Sequence, residues 1–191
     1  GGFLVDGEGT LITTEQCLLS PNRNPSMSAR DIEGVLRDFL GVRTVVWLPY
    51  GHSLDVGPAG TDGHVDGVAQ YVAPGVVLLE LPSDPSSPDH ARSRANLEAL
   101  ESSRDARGRR LDVVVIDPGP DPDVSYVNHY LANDRVIVPV SGTAGDAAAL
   151  DTLREVYEGR EVVGVPGTVL AHGGGGPHCI TQQIPAGVVL P

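Results

Sequence analysis

Cysteine is scarce in this chain of 191 residues, which holds only Cys17 and Cys179. Two isolated cysteines make no disulfide scaffold, and neither belongs to a C-x-x-C pair of the kind that holds structural zinc. Positive charge is also short: 13 Lys and Arg against 25 Asp and Glu give a formal charge of -12. That balance argues against nucleic acid as a partner, because nucleic-acid binding needs a basic face to release counterions. It suits a small cationic ligand, which an acidic field steers inward. No apolar run approaches the ~18 residues of a membrane span, and the opening "GGFLVDGEGT" lacks the basic and apolar regions of a signal peptide. The expectation is a cytoplasmic protein with no membrane partner. The chain opens without Met, inside what reads as a strand, and so reads as a fragment.

What is present is a repeated pattern. "FLVDGEGTLITTEQCLLSPNRN" reads as two strands around Gly7-Glu8-Gly9, followed by a helix from about Ser28 to Leu40 and the short apolar strand "TVVWLP". Ser28 is a candidate N-cap with Asp31 three residues on, and Gly41 follows the last turn. A second copy starts with "HVDGVAQYVAPGVVLLEL", turning at Ala73-Pro74-Gly75, and continues with a helix from about Asp89 to Ser102 and the strand "LDVVVID". A third starts with "SYVNHYLANDRVIVPVSG", turning at Asn133-Asp134, and continues with a helix from about Asp146 to Tyr157 and "EVVGVP". A fourth hairpin opens at "PHCITQQIPAGVVLP" and turns at Ala186-Gly187. The fold class is therefore α/β, with about three strand-strand-helix-strand units and a terminal hairpin. The loops Ser83 to Asp89 and Asp117 to Asp123 read as surface connections.

The hairpin starts carry Gly1-Gly2, His64-Val65-Asp66, Asn128 and Cys179, one set per unit, which suggests a shared central site. In a strand, His64 and Asp66 would face one side and Val65 the other. By the same alternation His178 would point away from the face of Cys179, so it is not taken as the base. "GGGGP", Gly173 to Pro177, leads directly into His178 and Cys179, clearing space around the sulfur and fixing the entry angle. Cys17, inside the strand-like "TTEQCLL", reads as a small buried hydrophobe. His52, His90, His129 and His172 read as loop or packing residues. A P-loop is disfavoured because "GGGGPHC" lacks the Lys and the following helix. A Cys-His-His metal site would need two placed imidazoles, and the repeat register supplies only His64.

Together "TTEQCLLSPNRNP", "VVWLPYG", "TDGHVDGVAQYVAPG", "SYVNHYLAN" and "GGGGPHCITQQIP" resemble the agmatine deiminase family, which includes bacterial peptidylarginine deiminases. The resemblance runs in order over essentially the whole chain. It implies the pentein fold, an α/β propeller of five units. The chain would then be a single catalytic domain fragment over 1–191, the C-terminal part of the propeller without its N-terminal units. It also implies that Cys179 is the nucleophile, His64 the general acid and base, and Asp66 a ligand for guanidinium nitrogens, with Asn128 and Gly175 beside the substrate. No metal or organic cofactor is implied. The implied reaction is hydrolysis of agmatine through a covalent thiouronium to N-carbamoylputrescine and ammonia. Arginine or peptidyl arginine are alternative substrates, and a non-catalytic guanidinium- or polyamine-binding module is the rival function. The family's glutamate before a Gly-Gly pair would fall just before Gly1. Gly176-Pro177, Gly67 and the long segment "GHSLDVGPAG" depart from the family pattern and leave the substrate in question. An extra acid for a distal amine could be Asp55 or Asp62, and a homo-oligomer could cover the open flanks of a partial propeller.

Overall fold

The computed structural model describes residues 1–58, 60–120 and 122–184. Strands β1 (Phe3–Val5) and β2 (Thr10–Thr14) form an antiparallel hairpin, closed by the Asp6 carboxylate, which accepts the amides of Glu8 (2.7 Å) and Thr10 (2.9 Å). A short helix α1 (Glu15–Leu18) follows, then α2 (Ala29–Leu40) and β3 (Thr44–Leu48), which lies parallel to β2. The second unit is β4 (Ala69–Ala73), β5 (Val76–Glu80), α3 (His90–Ser102) and β6 (Asp112–Ile116). The third is β7 (Tyr130–Leu131), β8 (Arg135–Val140), α4 (Gly145–Val156) and β9 (Glu161–Pro166), with a last short helix α5 (Thr168–His172). Each unit is thus a three-stranded mixed sheet, a hairpin plus one parallel strand reached through a helix.

Local chemistry explains the helix bounds. Ser28 caps α2 in a capping box with Asp31, and Gly41 ends the helix with φ 68, a left-handed conformation open to glycine. Ile32 and Leu36 on α2 pack with Leu11 and Val42. The first two sheets share a core of Ile12, Leu48, Val65, Val77, Leu79 and Leu100. The second and third are joined by a core in which Leu78 packs with Val136, Val138 and Leu153. Buried His129 adds a polar tie: its Nδ1 donates to the Tyr126 carbonyl (2.8 Å) and its Nε2 accepts from the Tyr157 hydroxyl (2.7 Å).

Three expectations are corrected. Cys17 lies in α1, not in a strand, because Thr14 caps a helical turn there and accepts the Cys17 amide at 3.0 Å. It is nonetheless buried, as expected for a small apolar residue. His64 and Asp66 flank and occupy a 3-10 turn, Val65–Gly67, and β4 begins only at Ala69, because the amides of Val65 and Asp66 are both drawn to the Gly1 carbonyl. The segment 177–180 is a turn and 181–184 has no regular structure, so no strand starts at Cys179 within the described residues. The expected turn at Ala186-Gly187 lies outside them.

Topology sets where a site can form. The chain leaves β3, β6 and β9 at the carboxyl ends of parallel strands, and ligands of open α/β sheets bind outside those ends. The three segments that follow carry His64 and Asp66, then Ser125 and Asn128, then Gly175 and Cys179. No helix among the described residues is long and apolar enough to cross a membrane.

Candidate active site

These segments meet around a cavity of about 350 Å³ lined by His64, Asp66, Asn128, Gly175 and Cys179 among others. The volume is in the range of small-molecule sites. All five residues singled out in the sequence therefore line one pocket. The Cys179 thiol lies 3.5 Å from Asp66 Oδ2, and His64 Nδ1 lies 3.9 Å from Asp66 Oδ1. Asp66 is the hub, and it is almost wholly buried.

Asn128 holds the sulfur: its Nδ2 donates to Cys179 Sγ (3.2 Å) and to the Asp66 carbonyl (3.0 Å), while its buried Oδ1 has no hydrogen-bond partner among the described residues. The glycines before the cysteine are there for space. A Cβ on Gly175 would lie 2.8 Å from Cys179 Cβ, and one on Gly176 would lie 2.5 Å from Asn128 Oδ1. A Cβ on Gly1 would lie 2.5 Å from both Asp66 carboxylate oxygens and from His64 Nδ1, so a backbone closes the opposite wall.

His178 corrects the alternation argument. Its Nδ1 donates to Asp66 Oδ2 at 2.7 Å, so it faces the same hub as Cys179. Alternation holds only in a strand, and here a turn, pinned by the His178 amide on the Asn128 carbonyl (3.2 Å), sends both side chains inward. Direct adjacency to Cys179 was the signal that could have found it.

Electrostatics follow from burial and Asp66. Burial, then the Asp66 carboxylate, pushes the Cys179 thiol up, which keeps the sulfur protonated in the unliganded pocket. Burial holds the His64 imidazole below its ordinary value. Burial acts to raise Asp66, but it is opposed first of all by the His178 hydrogen bond, and its carboxyl stays below the usual range. The pocket thus presents a fixed anion beside a neutral thiol and a neutral imidazole, an arrangement that attracts a planar cation.

The two acids considered for a distal amine are both engaged within the chain. Asp55 lines the cavity, but its carboxylate is taken up by Thr61, Gly63 and His64. Asp62 is bound by Asn22 Nδ2 (3.1 Å) and Arg23 Nε (3.4 Å). Sequence reasoning missed Glu80, which lines the cavity at the end of β5 and is nearly inaccessible to solvent. Burial pushes Glu80 up to about 8, and Ser125 Oγ lies 3.0 Å from its Oε2. His52 and His172, read as loop or packing residues, also line the cavity.

Comparison with known proteins identifies the family. Residues 1–185 match the model of the Porphyromonas-type peptidyl-arginine deiminase family, and the chain belongs to that family. It is 44% identical to the agmatine deiminase of Stutzerimonas stutzeri over 97% of its own length and 56% of the relative's. It superposes on the solved agmatine deiminase of Enterococcus faecalis with a TM-score of 0.87 at 38% identity, over 96% of this chain and 56% of that one. The C. jejuni agmatine deiminase with substrate bound shares the fold, with a TM-score of 0.81 at 21% identity over 93% of this chain and 53% of that one. The chain spans about half the length of the relatives it matches.

Proposed function

We propose that this chain carries the nucleophile and the acid–base group of a guanidine hydrolase acting on agmatine, and that its three units belong to a five-unit pentein propeller. The observation that carries the reading is the convergence of Cys179 and His64 on one buried carboxylate, Asp66, within a single cavity. Membership of a deiminase family and the agmatine deiminase relatives support it.

The chemistry follows from the charges. Asp66 grips the planar N–H fork of a guanidinium as carboxylates grip arginine. The arriving cation neutralises the anion that held the thiol protonated and stabilises a thiolate next to it. The thiol proton passes to His64. Sulfur attacks the guanidinium carbon, and the imidazolium returns its proton to the departing nitrogen, which leaves as ammonia. The remaining thiouronium is hydrolysed by a water that His64 deprotonates, and cleavage of the C–S bond releases N-carbamoylputrescine. Splitting one displacement into two lowers each barrier, and proton transfer from a placed histidine contributes about 10²- to 10⁴-fold. Asn128 Nδ2, 3.2 Å from the sulfur, stabilises the thiolate as it forms.

Ammonia release from agmatine by the full-length protein tests the reading. Cys179→Ser should abolish turnover, and in the unaltered enzyme a stalled adduct heavier by the amidino group carried on Cys179 should be seen by mass spectrometry at low pH. Turnover by Cys179→Ser equal to that of the unaltered enzyme would refute the assignment. Calorimetric binding of agmatine without ammonia release would select the binding module, and parallel assays with arginine and an arginyl peptide would separate the substrates.

A further inference from the structure

The Asp55 carboxylate is spent on one turn. Oδ1 accepts the Thr61 amide at 2.5 Å, and Oδ2 accepts the Thr61 hydroxyl and the amides of Gly63 (3.1 Å) and His64 (3.0 Å). A carboxylate offers about four lone-pair sites, two on each oxygen; Oδ2 is saturated by three donors and Oδ1 takes one, all from a single turn. Burial acts to raise this carboxyl, but those donors outweigh it and keep it ionised.

The turn it closes is strained. Asp62 has φ 63, and among the described residues it is the one non-glycine with positive φ; Gly63 follows with φ 87. Such conformations persist only where the surroundings over-determine them. Here Thr14 Oγ1 donates to the Gly63 carbonyl (2.5 Å), Arg23 Nη2 donates to the Thr61 carbonyl (2.7 Å), and Asp55 holds Thr61, Gly63 and His64 itself. The His64 imidazole itself makes no hydrogen bond among the described residues, and the Asp66 carboxylate lies 3.9 Å from its Nδ1. Its pose is therefore set through its backbone.

We infer that Asp55 is the positioning residue for His64: its carboxylate holds the strained 61–64 turn and thereby fixes the imidazole beside Asp66 and Cys179. The consequence for turnover rests on the proposed role of His64, but the geometric claim is measurable without turnover. The charged side chains facing His64 are Asp66, Arg23 and Asp55. Losing only the Asp55 charge would lower the imidazole pKa further, because a nearby anion favours imidazolium. Losing the pose would free the ring into water and raise its pKa toward ~6.5. The two effects have opposite signs, so a histidine NMR titration of this chain, with the His64 signal assigned by His64→Gln, distinguishes them.

Asp55→Asn puts an amide donor or a single acceptor where Oδ2 now receives three donors. The expected result is an upward shift of the His64 titration. In the full-length enzyme kcat/KM should fall about 10²-fold, the cost of a misplaced catalytic group, mostly through kcat. An unmoved or lowered titration in folded Asp55→Asn overturns the inference, even if its melting temperature drops. If that variant does not fold, Thr61→Val removes one donor from the same oxygen, and a smaller upward shift is expected; no shift there overturns the inference equally. A shifted titration with no agmatine turnover by the unaltered full-length protein leaves the positioning role standing and rejects the deiminase reading.

Discussion

Replacing Gly176 by alanine tests why glycines precede the cysteine. The new Cβ would lie 2.5 Å from Asn128 Oδ1, where ordinary contact begins at 3.4 Å, so something must give by roughly 0.9 Å (3.4 minus 2.5). Asn128 is 5% exposed and has little room to retreat. If its carboxamide turns away, Nδ2 leaves Cys179 Sγ, now at 3.2 Å; if the 175–179 segment backs off instead, it carries the sulfur away from the same group. Both routes lose one contact. Overpacking costs about 1–3 kcal/mol, and a lost hydrogen bond about 0.5–1.5 kcal/mol. The expected destabilisation is therefore about 2–4 kcal/mol. The thiolate loses a donor worth about 1.5 kcal/mol at the low end for a charged acceptor, which lowers its population about tenfold. Denaturant unfolding and the pH dependence of Cys179 alkylation measure the two effects; Cys17, 1% exposed, is shielded in the native state. Gly173→Ala is the control, since its Cβ meets only the Leu170 and Val169 carbonyls at 3.3 and 3.5 Å and its φ of -81 is ordinary. Equal stability and equal alkylation in the two variants would refute the packing argument.

Stability should depend on pH through two buried groups of opposite sign. Glu80 is raised to about 8, so below its unfolded value the contribution is complete, and it is lost as pH rises toward 8, with a slope of at most about 1.4 kcal/mol per pH unit. His129 is lowered to about 4, so its contribution is present above its unfolded value of ~6.5 and is lost as pH falls toward 4. The two slopes oppose each other between about 4.5 and 6.5, and stability should fall only from about 6.5 to 8; Glu80→Gln should flatten that fall in urea titrations, and an unchanged slope would exclude Glu80 as its source. Ser28→Ala should cost about 1 kcal/mol through loss of the α2 capping box, read by thermal unfolding, while an unaltered melting temperature would mean the box contributes nothing net.

Much of this architecture is local and was legible in the residues. The hairpin turns at Gly7-Glu8-Gly9, Ala73-Pro74-Gly75 and Asn133-Asp134, the Ser28 cap and the Gly41 stop depend on neighbours within a few positions, and the three long helices appear where periodicity puts them. The chemical inventory of the pocket, a cysteine behind glycines and a histidine two residues from an aspartate, is equally a property of the chain itself.

Tertiary contact decided how that inventory is presented. Gly1 draws the amides of Val65 and Asp66 into a 3-10 turn where alternation predicted a strand, and a turn at 177–180 brings His178 inward to Asp66. Asp55 spends its charge on backbone amides rather than on a ligand, and Glu80 becomes a buried acid only because Ser125 and the third unit close over it. Residue order specifies which groups exist and which short turns they favour; direction, burial and proton affinity come from segments that meet only after the three sheets have packed.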